Sequence, residues 1–196
     1  MTFKISAAAV GMLMALQPSS SMAEDKQAIF FEQLKSLCGQ AFLGKVYKDT
    51  ADSATYRGKD VILHIRDCSD EQIKMPMHVG DNSSRILILT KTPNGIQLQH
   101  DHRHHDGTSD DLTLYGGTTT TKGTFNQQDF PVNDATHKMF VEADIERSLA
   151  NVWSIKVFAG DSATYQLRRP SLDFQIKFDL TKAIKNPPLA WDLVKH

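Results

Sequence analysis

From Leu172 to Leu180 apolar and polar side chains alternate without a break, with Leu172, Phe174, Ile176, Phe178 and Leu180 set against Asp173, Gln175, Lys177 and Asp179. A period of two puts these sets on opposite faces of a strand, one in a core and one in water. Less regular runs predict further strands at 41–48, 60–67, 72–79, 84–92, 95–104, 111–121, 137–144, 151–158 and 162–169. With 171–180 they make about ten, separated by turn signals such as Pro93-Asn94-Gly95, Asp106-Gly107, Ala159-Gly160-Asp161 and Arg169-Pro170. Upstream, Ile29, Phe30, Gln33, Leu34 and Leu37 keep helical spacing, which predicts one short amphipathic helix over 25–37, ended by Gly39. No second long helical stretch is available to carry parallel crossovers, so the strands are expected to form an antiparallel meander. Ten strands do not easily stay one flat open sheet, and closure into a barrel or folding into a sandwich follows.

The N-terminus follows a different pattern. Lys4, the apolar run from Ala7 to Leu16 and the small residues of Ser21-Met22-Ala23 read as a secretory signal peptide over 1–23, cleaved near Ala23. The run is too short for a membrane span, which needs about 20 apolar residues, so no membrane insertion is expected. What remains, 24–196, is predicted to be a single domain with an irregular tail from about 185, beginning near Asn186-Pro187-Pro188 and set across an opening or edge. A periplasmic or extracellular location follows. In such an oxidising compartment the two cysteines, Cys38 and Cys68, neither in a C-x-x-C arrangement, are expected to form a disulfide. Lys plus Arg number 22 against 23 Asp plus Glu, a net charge of -1 that offers no basic excess for nucleic acid.

The segment Leu37-Cys38-Gly39-Gln40-Ala41-Phe42-Leu43-Gly44 leads from the helix through a glycine and an aromatic into the first strand. In this it resembles the start of calycin barrels, the lipocalin, fatty-acid-binding and nitrobindin-like type, and the resemblance implies a calycin-like barrel around a small-ligand cavity. Phe42 stands where those families usually place Trp. Nitrobindin-like proteins bind haem through a histidine near the end of the barrel, and the strand 171–180 contains none, so haem is not implied. The string His100-Asp101-His102-Arg103-His104-His105-Asp106-Gly107 also looks like a motif of secreted bacterial proteins to which no activity is attached.

Four of the eight histidines fall in that string. On a strand over 95–104, His100, His102 and His104 extend the face of Ile96 and Leu98. Same-face neighbours lie about 6.5 to 7 Å apart, close enough for two imidazoles to meet on a transition metal such as Zn. Asp111 is the candidate fourth ligand, with His64, His78, Asp106 and Asp110 as others. Register bears on the choice. If paired residue numbers sum to 215, His100 faces Tyr115, His102 faces Thr113 and His104 faces Asp111, whereas a sum of 216 sets His102 and His104 against Leu114 and Leu112. A second group lies on 61–67, where the Val61, Leu63 and Ile65 face is expected to pack inward and leave His64 and Arg66 outside. A ligand cavity would reverse that assignment, and Arg66 or Arg168 would then suit a carboxylate. Phe42, Met75, Met77, Trp153, Phe158, Tyr165, Phe174 and Phe178 could line a pocket, though most of them are expected to be ordinary core.

No G-x-S-x-G, P-loop, G-x-G-x-x-G or H-E-x-x-H is present, so serine hydrolase, nucleotide-binding and zincin readings lack support. The leading expectation is an exported barrel that binds a small molecule through His100, His102, His104, Tyr115 and Arg66. The alternative is an enzyme using the same hairpin, either as a metal site of His100, His102, His104 and Asp111 or as a histidine acid and base. The third is a structural or protein-interaction domain in which those histidines are solvated.

Overall fold

The computed structural model describes residues 25–194, so the predicted signal peptide and His196 lie outside it. Helix α1 (Lys26–Lys35) is capped by Asp25, whose carboxylate accepts the amide N–H of Gln27 and Ala28. Its buried face is Gln27, Phe30, Phe31 and Leu34, one position round from the predicted stripe. The helix ends at Lys35, and a turn leads from it to Gly39, which takes a left-handed backbone, φ 80°, before the first strand.

Eleven strands follow: β1 (Ala41–Asp49), β2 (Val61–His64), β3 (Asp67–Cys68), β4 (Gln72–Val79), β5 (Asn82–Thr92), β6 (Gly95–His102), β7 (Tyr115–Thr118), β8 (Gln127–Pro131), β9 (Val152–Phe158), β10 (Ser162–Arg169) and β11 (Leu172–Ile184). Ten run in the order β7-β6-β5-β4-β2-β1-β11-β10-β9-β8, all antiparallel, with the two-residue β3 beside β4. The sheet is mainly a meander nearly closed into a barrel, as the alternation predicts. Closure falls between β7 and β8, where Gly117 bridges to Val132. A Cβ on Gly117 would lie 2.2 Å from the Pro131 carbonyl oxygen, so only glycine permits that approach.

Three expectations are corrected. Residues 137–144 are not a strand but most of a second helix, α2 (Asp134–Glu142), started by the Asn133 side chain accepting the Thr136 N–H. β8 was not anticipated, because in Gln127-Gln128-Asp129-Phe130-Pro131 the inward positions are Gln128 and Phe130, and only one is apolar. The predicted strand 111–121 shrinks to β7 because Leu114 takes a left-handed φ of 59°, which no strand continues through.

One end of the barrel is plugged by α1, whose Phe30, Phe31 and Leu34 join the core with Phe42, Ile73, Leu89, Ile96, Ile176 and Phe178. Cys38, just beyond α1, is disulfide-bonded to Cys68 in β3, Cα to Cα 6.2 Å. The C-terminal tail follows β11, which ends at Ile184. Its single 3-10 turn (Trp191–Leu193) packs against β5, and Asp192 there accepts two hydrogen bonds from Arg66, at 2.9 and 2.7 Å. This cover explains why Ile86 and Ile88, on the outward face of β5, are buried as well as the inward Leu87 and Leu89.

Candidate functional site

At the end opposite α1 the barrel holds a cavity of about 360 Å³, within the range of small-molecule sites. The strands supply its walls through alternation. β6 contributes His100 and His102, β5 Arg85, β4 Met77, β9 Trp153, and β10 Tyr165, Leu167 and Arg169. Leu172 and Phe174 come from β11, Tyr115 from β7, and Phe140 of α2 closes over it.

β6 and β7 pair with His100 opposite Tyr115, so the register is the one summing to 215. It holds only that far. His102 still meets Thr113, whose hydroxyl accepts the His102 amide N–H at 2.7 Å, but the chain then turns, Arg103 bridges to Ser109, and His104 and Asp111 are both exposed. The histidine string is thus divided: two imidazoles in the cavity and two, His104 and His105, outside.

Inside, the hydrogen bonds fix the chemistry. His100 is 5% exposed. Its Nδ1 lies 3.3 Å from the Tyr115 carbonyl oxygen, which can only accept, so Nδ1 carries the proton. Nε2 is then the acceptor, and the Tyr165 hydroxyl donates to it at 2.9 Å. The Tyr115 hydroxyl meets His102 Nε2 at 3.0 Å. Rings pack around these bonds: His100 stacks on Tyr115 with centroids 5.0 Å apart and 12° between planes, and touches Trp153 at 5.0 Å. Because β6 and β9 lie on either side of the closure, this cluster joins the two ends of the sheet across the interior.

Burial, and secondly the neighbouring His102, push the His100 imidazole down to about 3. Burial pushes the Tyr115 hydroxyl up to about 12 and Tyr165 well above its ordinary value, while His102 is also lowered, again by burial. At neutral pH these groups are an uncharged set of donors and acceptors. An acid and base pair for work near pH 7 needs the opposite tuning.

Among the described residues no group of three or more His, Cys, Asp or Glu is placed to hold a metal. The set of His100, His102, His104 and Asp111 is not brought together, because the turn after His102 carries the last two to the surface. Of the other candidates, His64 and Arg66 stay on the outer face of the strand, and Val61, Leu63 and Ile65 are buried. Arg66 is taken up by Asp192 and Asp67. Arg168 also faces outward, donating to Ser154 and Asp129. His78 is buried on the outer side of β4 against Ser83.

Among the cavity residues that escaped the sequence reading are its two arginines, Arg85 and Arg169. Arg85 sits opposite His102 and Met77 in register, in a run of Ile and Leu whose two faces look alike. Arg169 was legible, since it shares the alternation of Tyr165 and Leu167. No family model, curated protein or solved structure matches the chain.

Proposed function

We propose that this protein is an exported barrel that binds a small, largely aromatic molecule in the cavity floored by His100, Tyr115, Trp153 and Tyr165. The observation that carries the reading is the cavity: about 360 Å³, set in a barrel plugged at the other end, with ring faces for walls and a few polar groups between them. His100, His102, Tyr115 and Tyr165 hold one another in place, so the floor is already organised before anything enters, which lowers the cost of binding. Export is supported by the Cys38–Cys68 disulfide. Among the described residues no helix is long and apolar enough to cross a membrane. The calycin-like resemblance points to the same use of a barrel, with His100, His102 and Tyr115 in the cavity wall and Arg66 and His104 outside it.

The test is binding of the neutral fluorescent probe N-phenyl-1-naphthylamine to the wild type and to Leu167→Trp, a variant that fills the cavity from β10. The wild type is expected to bind and enhance the probe's emission, and the variant to lose at least about tenfold in affinity, the scale of one buried side chain's contact. Thermal melting shows whether the variant is folded. Equal binding by a folded Leu167→Trp protein would place the probe elsewhere and end the reading.

A further inference from the structure

The cavity walls carry more positive charge than the fold uses. Arg85 and Arg169 both line it, and neither forms an ion pair with a carboxylate among the described residues. Arg85 donates to Asn82 at 2.7 Å and lies over the Tyr56 ring. The carboxylate in the lining, Asp49, is turned to its own loop, accepting the N–H of Ala51 at 2.9 Å and of Ser53 at 2.7 Å. The histidines of the floor add no charge.

Arg169 is the more telling of the two. Its Nη1 donates to Asn151 Oδ1 at 3.0 Å, while Nε is shielded from solvent and has no partner. The edge formed by Nε and Nη2 therefore stands unengaged. A buried donor without an acceptor costs about 1–3 kcal/mol, and native proteins rarely keep one without a use. That edge presents two parallel N–H groups, the geometry that matches the two oxygens of a carboxylate. Asn151, which orients the guanidinium, is one same-face step from Trp153, about 6.5 to 7 Å along the strand. A flat ring on the floor and an anion at Arg169 are thus one small molecule's length apart. The lining contains no lysine and no helix N-terminus of the kind that phosphate sites use.

We propose that the ligand is a small aromatic carboxylate, with its ring against His100, Tyr115 and Trp153, its carboxylate on the Nε–Nη2 edge of Arg169, and Arg85 supplying the second positive charge. This rests on the cavity being the binding site, and deepens that reading by naming the ligand's chemistry.

The experiment is calorimetric titration with three probes of nearly equal size: 1-naphthoate, its uncharged carboxamide and 1-naphthyl phosphate. Naphthoate is expected to bind the wild type about tenfold or more tightly than the carboxamide, the usual advantage of hydrogen bonds to a charged partner. Arg169→Gln should bring that ratio close to one. Arg169→Lys, which keeps the charge without the planar edge, should fall between. Melting confirms that each variant is folded, so that a changed ratio reads binding; some loss of thermal midpoint is expected in Arg169→Gln because the hydrogen bond to Asn151 goes with the side chain. Equal affinity for naphthoate and carboxamide would overturn the anion proposal and leave the cavity reading standing. Tighter binding of the phosphate would replace the carboxylate by a phosphoryl group and overturn the class named. If no naphthyl probe binds, the cavity reading falls with it.

Discussion

Acidification is expected to destabilise this protein steeply before its carboxylates titrate. Burial holds His100 at about 3 and His78 at about 4, against an ordinary value near 6.5. An unfolded chain takes up a proton at both positions near pH 6.5, whereas the native protein refuses them until pH approaches 4 or 3. Between those limits the unfolded state binds more protons, so stability is complete above about pH 6.5 and falls as pH drops, by up to about 1.4 kcal/mol per unit for each histidine. Two histidines over two units withdraw about 5 kcal/mol, comparable with the ~5–15 kcal/mol that holds a typical domain together. His64 and His102, also lowered by burial, act in the same direction. Carboxylates do not account for this window. Asp173, held at about 2 by Lys48 and by Gln175 and Gln166, loses its contribution only below the ordinary carboxylate range. Urea unfolding at a series of pH values should show the midpoint falling steadily from about pH 6.5 to about pH 4.5. The slope should flatten in His78→Gln and in His100→Gln, whatever those variants do to stability at pH 7. A midpoint flat through this range would contradict the neutral burial of both rings.

Removing the disulfide is expected to cost about 3 to 4 kcal/mol, because a cross-link closing a loop of about 30 residues takes that much entropy from the unfolded chain. The bond fixes the end of α1 to β3, and α1 is the plug of the closed end. The cavity lies at the other end, so the two functions separate. A Cys38→Ser, Cys68→Ser double variant should unfold at markedly lower urea while its folded fraction still binds N-phenyl-1-naphthylamine. A loss under about 1 kcal/mol would mean that the reduced chain already keeps the helix in place. Loss of binding by the folded variant would mean that the plug and the cavity are coupled.

The elements that the sequence made legible are those with one wet face. β10 matches its predicted bounds and β11 begins within a residue of them, because Asp173, Gln175, Lys177 and Asp179 mark the outside without ambiguity. The shared face of Ile96, Leu98 and His100 was readable for the same reason, but the chain allowed two registers and only the structure selects the one that pairs His100 with Tyr115. Ambiguity arose where both faces are covered. On β5 the C-terminal turn buries Ile86 and Ile88, so the alternation that would have singled out Arg85 is invisible in the chain. His104 leaves the face because the chain turns over 104–107, a turn that Asp106-Gly107 signals without fixing how far back the strand stops. The misreading of 137–144 was of another kind, since Asn133 followed by Thr136 is a helix start that was there to be read.

The central claim is that small molecules enter at His100 and His102, and it is tested most directly by nitrogen–proton NMR of the imidazole rings as N-phenyl-1-naphthylamine is titrated in. The resonances of His100 and His102 are predicted to shift to a common saturation point, while those of His64, His78 and His137, which lie outside the cavity, stay where they are. Saturation that moves His64 or His78 and leaves His100 and His102 unperturbed would contradict the account.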